Sequence, residues 1–220
     1  MGIIRKNSAL GNIRGGVGGI VLKGWRKLQV VSSRPAKSLK KGEKKSEELS
    51  PQSKRLTLVT KLLSQFTTEL KVGFYSKNSD LPAFQTAVQF AVNHALTEID
   101  SVYAVDYEKL IFSKGRLDIP WSTSLMALGE GIVRLTWEVP PTSKIKLTGN
   151  DKAQVIIYSK THDRKVGIPR RPPSERRLLG MEMRLSNYYL GDELHFWMFF
   201  AKPDGTDVSD TEYLGSLTLN

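Results

Sequence analysis

The net positive charge of this chain is carried by its first 60 residues. This charge pattern limits a folded core mainly to the rest of the chain. These residues hold 14 lysines and arginines against three glutamates, so they carry a net charge of +11, the net charge of the whole chain. The rest of the chain has equal numbers of acidic and basic side chains. This pattern predicts a neutral folded body with a basic N-terminal arm, and such an arm is typical of proteins that bind a polyanion or an acidic neighbour.

Several classes of protein are excluded or disfavoured by what the chain lacks. It has no cysteine, which excludes disulfides, thiolate metal sites and a cysteine nucleophile. No apolar run reaches the roughly 20 residues of a membrane span, and Met1–Lys6 does not begin a signal peptide. We therefore expect no signal peptide, no membrane contact and no cofactor, with localisation in the cytoplasm or in a virion-like particle.

The first 24 residues contain seven glycines. They do not form a phosphate-binding loop, because no Gly-Lys pair follows them and Val21 occupies the place of the third glycine of a dinucleotide motif. Glycine here indicates turns and close packing between short extended pieces. We expect β segments at 20–22 and 28–31 around a turn at Lys23-Gly24, with Trp25 as their anchor.

The lysine-rich segment that follows Arg34 predicts a solvated linker. Three roles stay open for the arm and linker: contact with a nucleic-acid backbone, contact with an acidic surface of a neighbouring subunit, or a plain tether. A second basic segment at 164–177 contains three prolines, which favour an extended loop. The candidate residues for binding nucleic acid or a partner are Arg14, Lys23, Trp25, Arg26, Lys27, Arg34, Lys37, Lys40, Lys41, Lys44, Lys45, Arg170, Arg171, Arg176 and Arg177.

Catalytic and metal motifs find little support. The histidines His94, His162 and His195 are too dispersed for a zinc-protease motif, and no nucleophile-elbow motif occurs. The acidic segment 204–212 lacks the ligand order of an EF-hand and is typical of a hairpin turn. A further hypothesis is that its carboxylates accept a neighbour's basic arm, and these carboxylates are Asp204, Asp207 and Asp210.

The order of local patterns predicts an α+β fold in three parts. Residues 1–50 form the basic arm and linker. Residues 51–100 form a two-helix brace: Ser50-Pro51 begins one helix, Gly73 ends it, and a second helix runs from about 81 to 96. Residues 101–220 form an antiparallel β-sandwich. Its seven expected strands are Tyr103–Phe112, Trp121–Leu128, Ile132–Val139, Ala153–Ser159, Leu178–Leu185, Leu194–Ala201 and Thr211–Leu217.

Two resemblances extend this interpretation. The segments 132–141, with Trp137 in the core position before a proline pair, and 181–210 resemble fibronectin type III or immunoglobulin-like domains, although Leu194 replaces the usual tyrosine. Nearly the whole chain resembles a Bacteroidota family of short proteins of unknown function. The residues that carry this second resemblance are Gly15, Gly18, Trp25, Arg34-Pro35, Gln52, Arg55, Ala87–Leu96, Asp106-Tyr107, Phe112–Gly115, Asp204-Gly205 and Tyr213-Leu214.

The leading hypothesis is a non-enzymatic structural subunit, of a phage-like particle or a filament, that forms homo-oligomers. Its basic arm would clasp neighbouring subunits or packaged nucleic acid. The first alternative is a sequence-independent protein that binds the backbone of DNA or RNA. The second is an enzyme of a type that no motif in the sequence identifies.

Overall fold

The computed structural model divides into two compact units, residues 1–48 and residues 49–220. It describes residues 2–4, 14–25, 28–34, 50–75, 81–99, 102–141, 148–168 and 174–220. The expected lysine linker after Arg34 and the expected polar loop at 76–80 lie outside these residues. Of the described helices, none is long and apolar enough to cross a membrane.

The N-terminal unit contains a four-stranded antiparallel sheet. Its strands are β1 (Gly2–Ile4), β2 (Gly15–Val17), β3 (Ile20–Trp25) and β4 (Leu28–Ser33), in the spatial order β1-β4-β3-β2. Gly18 makes the turn between β2 and β3 with a φ of 58°, a conformation that favours glycine. The two expected β segments therefore exist, but the expected turn does not: Lys23 and Gly24 lie within β3, paired with Val30 and Gln29.

The second unit begins with three helices. They are α1 (Pro51–Ser64), α2 (Thr67–Gly73) and α3 (Ala83–His94). Ser50 caps α1, since its hydroxyl accepts a hydrogen bond from the amide of Ser53 at 3.3 Å. The expected single helix from 51 to 73 is interrupted at Gln65, whose side chain bonds the backbone of 163 and 165.

A short hairpin follows the helices and consists of β5 (Leu96–Ile99) and β6 (Val102–Val105). The expected strand from 103 to 112 is wrong beyond Val105. The carboxylate of Asp106 accepts a hydrogen bond from the amide of Glu108, which turns the chain out of the strand. Leu110 and Phe112 are instead buried in the interior as part of an irregular segment.

The remaining strands form two antiparallel sheets. They are β7 (Trp121–Gly129), β8 (Ile132–Glu138), β9 (Lys152–Ser159), β10 (Arg164–Lys165), β11 (Gly180–Arg184), β12 (Glu193–Ala201) and β13 (Glu212–Thr218). One sheet has the order β11-β8-β7 and the other has the order β10-β9-β12-β13. The predicted α+β class and β-sandwich are therefore present.

The strands β9 and β12 are buried on both faces and separate two cores. Leu194, Phe196 and Phe200 face the β11-β8-β7 sheet, whereas Trp197 and Phe199 pack against the helices. The alternation follows from the two-residue period of a strand, and burial on both faces explains the nearly continuous apolar sequence of β12. The helices thus share a core with the sandwich.

Candidate functional site

The described basic residues of the N-terminal sheet are all exposed. They are Arg14, Lys23 and Arg34. A Cβ atom added at Gly24 would lie 3.2 Å from the Arg14 guanidinium. The Arg14 side chain therefore covers the face of β3 toward which a side chain at position 24 would point. Lys23 precedes Gly24 in β3 and therefore projects from the opposite face. The sheet presents cations on both faces rather than in one stripe.

The boundary between the two units lies close to the boundary in charge. Residues 1–48 contain 12 lysines and arginines and three glutamates, a net charge of +9, whereas residues 49–220 carry only +2. In the described part of the chain, every buried hydrophobic residue except Val30 lies in the second unit. The basic unit is therefore distinct from the unit that contains the two large cores.

Many candidate residues of the arm and basic loop fall outside the described part of the chain. This group is Arg26, Lys27, Lys37, Lys40, Lys41, Lys44, Lys45, Arg170 and Arg171. The backbone of Trp25 lies at the end of β3, paired with Leu28. The expectation that Trp25 anchors the β segments stays a prediction.

The assignment of Arg176 as a binding residue is wrong, because its side chain is buried and not available to a partner. It is 1% exposed, and its guanidinium lies 3.4 Å from the carboxylate of Asp151 and 3.9 Å from the ring centroid of Phe200. It also donates a hydrogen bond to the backbone oxygen of Asp118 at 2.9 Å. Burial lowers the pKa of Arg176, and burial raises that of Asp151 while the arginine charge opposes this rise. The buried Arg176–Asp151 pair therefore has a structural role inside the fold.

Arg177, the neighbour of Arg176, is exposed. Its guanidinium pairs with the carboxylate of Glu175 at 2.6 Å, and 60% of its side chain is accessible. An exposed pair of this kind contributes little to stability. Of the two adjacent arginines, only Arg177 can contact an external anion.

The carboxylates of the acidic turn bond its own backbone and that of a neighbouring loop. Asp204 accepts hydrogen bonds from the amide and hydroxyl of Thr206, which lower its pKa. Asp207 accepts one from the amide of Val208, and Asp210 accepts one from the amide of Gly115 at 2.9 Å. Asp210 therefore has a structural role, whereas Asp204 is exposed and, in the described part of the chain, bonds only within its own turn.

Ser159, His162 and Asp192 lie together, but their arrangement differs from that of a catalytic triad. The Ser159 hydroxyl and the His162 Nδ1 both contact the same Asp192 oxygen, at 2.8 and 2.6 Å. A triad requires the serine at the opposite ring nitrogen, Nε2, where the imidazole can take its proton. Ser159 is also fully buried, so this cluster closes a turn and does not present a nucleophile.

His195 is buried, whereas His94 and His162 are exposed. Its ring stacks on Tyr107 with centroids 4.1 Å apart, and its Nδ1 is hydrogen-bonded with the Tyr213 hydroxyl at 2.8 Å. Burial lowers the pKa of His195, which favours the neutral ring. Among the described residues, no group of three or more histidines and carboxylates is placed to hold a metal ion.

The sequence profile of a family of unknown function, DUF6266, matches residues 12–215. The chain belongs to this family. The match extends over both units, and it confirms the predicted membership of a family of unknown function. None of the curated proteins matches the sequence. Among solved structures, the fn3 domain of human contactin 1 is similar over 49% of this chain and 82% of that domain, with a TM-score of 0.32 and 9% sequence identity.

Proposed function

We propose that the protein is a non-enzymatic assembly subunit, of a phage-like particle or a filament, whose basic N-terminal unit clasps neighbouring copies or packaged nucleic acid. The observation that supports this is the concentration of charge in one structural unit: residues 1–48 carry +9 and residues 49–220 carry +2. A separate small unit with this charge suits contact with a partner, since a strongly basic surface attracts polyanions and acidic proteins.

In this proposal the larger unit is a scaffold of fibronectin III or immunoglobulin type. Two antiparallel sheets of three and four strands and the burial of Trp137 between them support that assignment. The helices pack against the outer face of the four-stranded sheet, so this sheet is covered on both faces. In this proposal the basic unit provides the contacts that assemble the scaffold.

The proposal is tested by light scattering on the full chain with three neutral substitutions, Arg14→Gln, Lys23→Gln and Arg34→Gln. The matched control carries the same loss of charge at exposed cations of the other unit: Arg116→Gln, Arg184→Gln and Lys202→Gln. We expect the first variant to assemble more weakly than the control, with or without DNA. Equal assembly of the two variants would show that the basic sheet does not make the contact.

Binding of nucleic acid without self-assembly is the second candidate, favoured by the exposure of cations on both faces of the sheet. Each phosphate contact contributes about 0.9 to the slope of log affinity against log salt concentration. Loss of three contacts is expected to reduce this slope by about 2.7, measured by fluorescence anisotropy on duplex DNA between 50 and 200 mM salt. A slope that is the same in both variants rules out phosphate contact by Arg14, Lys23 and Arg34.

A further inference from the structure

A cleft of about 390 Å³ lies between the end of α2, the helix α3 and the loop at residue 114. Its size falls within the range of small-ligand sites. The described residues that line the cleft include aromatic rings, amides, one histidine and one lysine, but no carboxylate. Its lining therefore favours a ligand that is partly aromatic and negatively charged.

One wall of the cleft is an aromatic pair on α3. Phe90 and His94 are four residues apart and so lie on the same side of the helix. Their ring centroids are 4.5 Å apart, with 40° between the planes. Tyr75 also lines the cleft and is 49% exposed. His94 is exposed as well, whereas Phe90 is partly buried. Aromatic side chains at a cleft surface stack on planar heteroaromatic ligands with little dependence on the identity of the ligand ring.

Among the described residues that line the cleft, one cation lies beside this wall. The Lys114 Nζ lies 5.8 Å from the centroid of the Phe90 ring, and within the described chain it has no carboxylate partner. Its backbone is held in place, because the Lys114 amide donates to the Gly73 oxygen at 3.1 Å. A lysine ammonium is a common point contact for phosphate. The cleft thus places an anion contact beside a stacking surface.

Two amide side chains also line the cleft. Gln89 and Asn93 are exposed on α3 and line the cleft beside Phe90. In the part of the chain that the structure describes, neither side chain makes a hydrogen bond to protein. An amide offers both donors and an acceptor, which matches the polar edge of a nucleobase. The two residues therefore supply the kind of groups that orient a base.

We propose that this cleft binds a nucleoside monophosphate. The base stacks on the Phe90–His94 wall, Gln89 and Asn93 bond its edge, and Lys114 contacts the phosphate. The recognised chemistry is a planar ring that carries an anionic group, and an aromatic carboxylate shares that chemistry. The site lies entirely in residues 49–220 and does not depend on the basic N-terminal sheet.

The test is isothermal titration of the full chain with adenosine monophosphate, adenosine, inorganic phosphate and benzoate. We expect adenosine monophosphate to bind at least about tenfold more tightly than either adenosine or phosphate, since only it reaches both parts of the cleft. Phe90→Leu should weaken this binding about tenfold through the loss of stacking. Lys114→Gln should weaken it about fivefold. Arg184→Gln, which removes an exposed charge from β11, should change it less than twofold.

The variants separate this site from general attraction of anions to the basic N-terminal unit. Adenosine monophosphate that binds equally well to the wild type, Phe90→Leu and Lys114→Gln occupies another site, and the proposal is then wrong. Benzoate that binds as tightly as the nucleotide, with the same sensitivity to both variants, overturns the nucleotide assignment in favour of aromatic carboxylates. Circular dichroism checks that both variants are folded. If Phe90→Leu unfolds, the titration of Lys114→Gln decides the test, because Lys114 is exposed.

Discussion

Replacement of Arg176 by methionine is expected to destabilise the protein far more than the same change at its neighbour Arg177. Arg176 is buried, and its guanidinium lies 3.4 Å from the carboxylate of Asp151, which is itself buried. At an effective dielectric constant of 20, the attraction at this distance is about 5 kcal/mol, most of which offsets the desolvation of the two charges. Methionine retains much of the volume but leaves Asp151 as an unpaired buried charge.

The loss of one partner from a buried ion pair costs about 3–5 kcal/mol. We therefore expect Arg176→Met to lower the free energy of unfolding by about this amount. Arg177→Met should lower it by less than about 1 kcal/mol, because the Arg177–Glu175 pair is on the surface. The double variant Arg176→Met with Asp151→Asn should recover about 1–3 kcal/mol relative to the sum of the two single changes.

Urea unfolding followed by circular dichroism and by tryptophan fluorescence measures these differences. Part of the tryptophan signal reports the core beside Arg176, since the Trp137 indole donates to the backbone oxygen of Arg176 at 2.9 Å. The control is Arg177→Met under the same conditions. Equal effects of the two arginine substitutions, or purely additive effects in the double variant, would refute the structural role of Arg176.

Three further changes test other parts of the fold. Thr211→Val removes the hydroxyl that accepts hydrogen bonds from the amides of residues 112 and 113, at 3.0 and 2.8 Å, and should cost about 1–3 kcal/mol in urea unfolding. Gly73→Ala places a Cβ 1.9 Å from the Phe112 oxygen and should lower the thermal midpoint, whereas Gly167→Ala, with open space around it, should leave the midpoint unchanged. The pKa of His195 is lowered by burial, so the unfolded state binds more protons below about pH 6.5; stability should fall as the pH drops below that value, and His195→Phe should flatten this dependence.

The β-sandwich could be predicted from sequence because its strands alternate in a way that only a sheet explains. In β8, Val133, Leu135 and Trp137 share one buried face, as their two-residue spacing predicts. The strand expected at 106–112 was wrong, because Leu110, Ile111 and Phe112 form a short apolar run that is also typical of a buried strand. There the apolar side chains enter the core from an irregular segment, because the turn at Asp106 ends the strand.

The sites were harder to predict because their members are distant in sequence. Arg176 looked like an exposed member of a basic loop, and its partner Asp151 carries no local signal of burial. In the cleft, the spacing of Phe90 and His94 is a detectable helical pattern, but Lys114 joins them only through the fold. The exposure of a basic residue in a charge-rich segment therefore cannot be predicted until the packing is known.

The central claim is that the basic N-terminal unit drives assembly and that residues 49–220 are a self-sufficient scaffold. The most direct measurement is the molar mass of the full chain and of residues 49–220, by light scattering in the absence of nucleic acid. The proposed assembly role predicts an oligomer for the full chain and a folded monomer for residues 49–220. An oligomer of the same size for both, or a monomer for both, would contradict it.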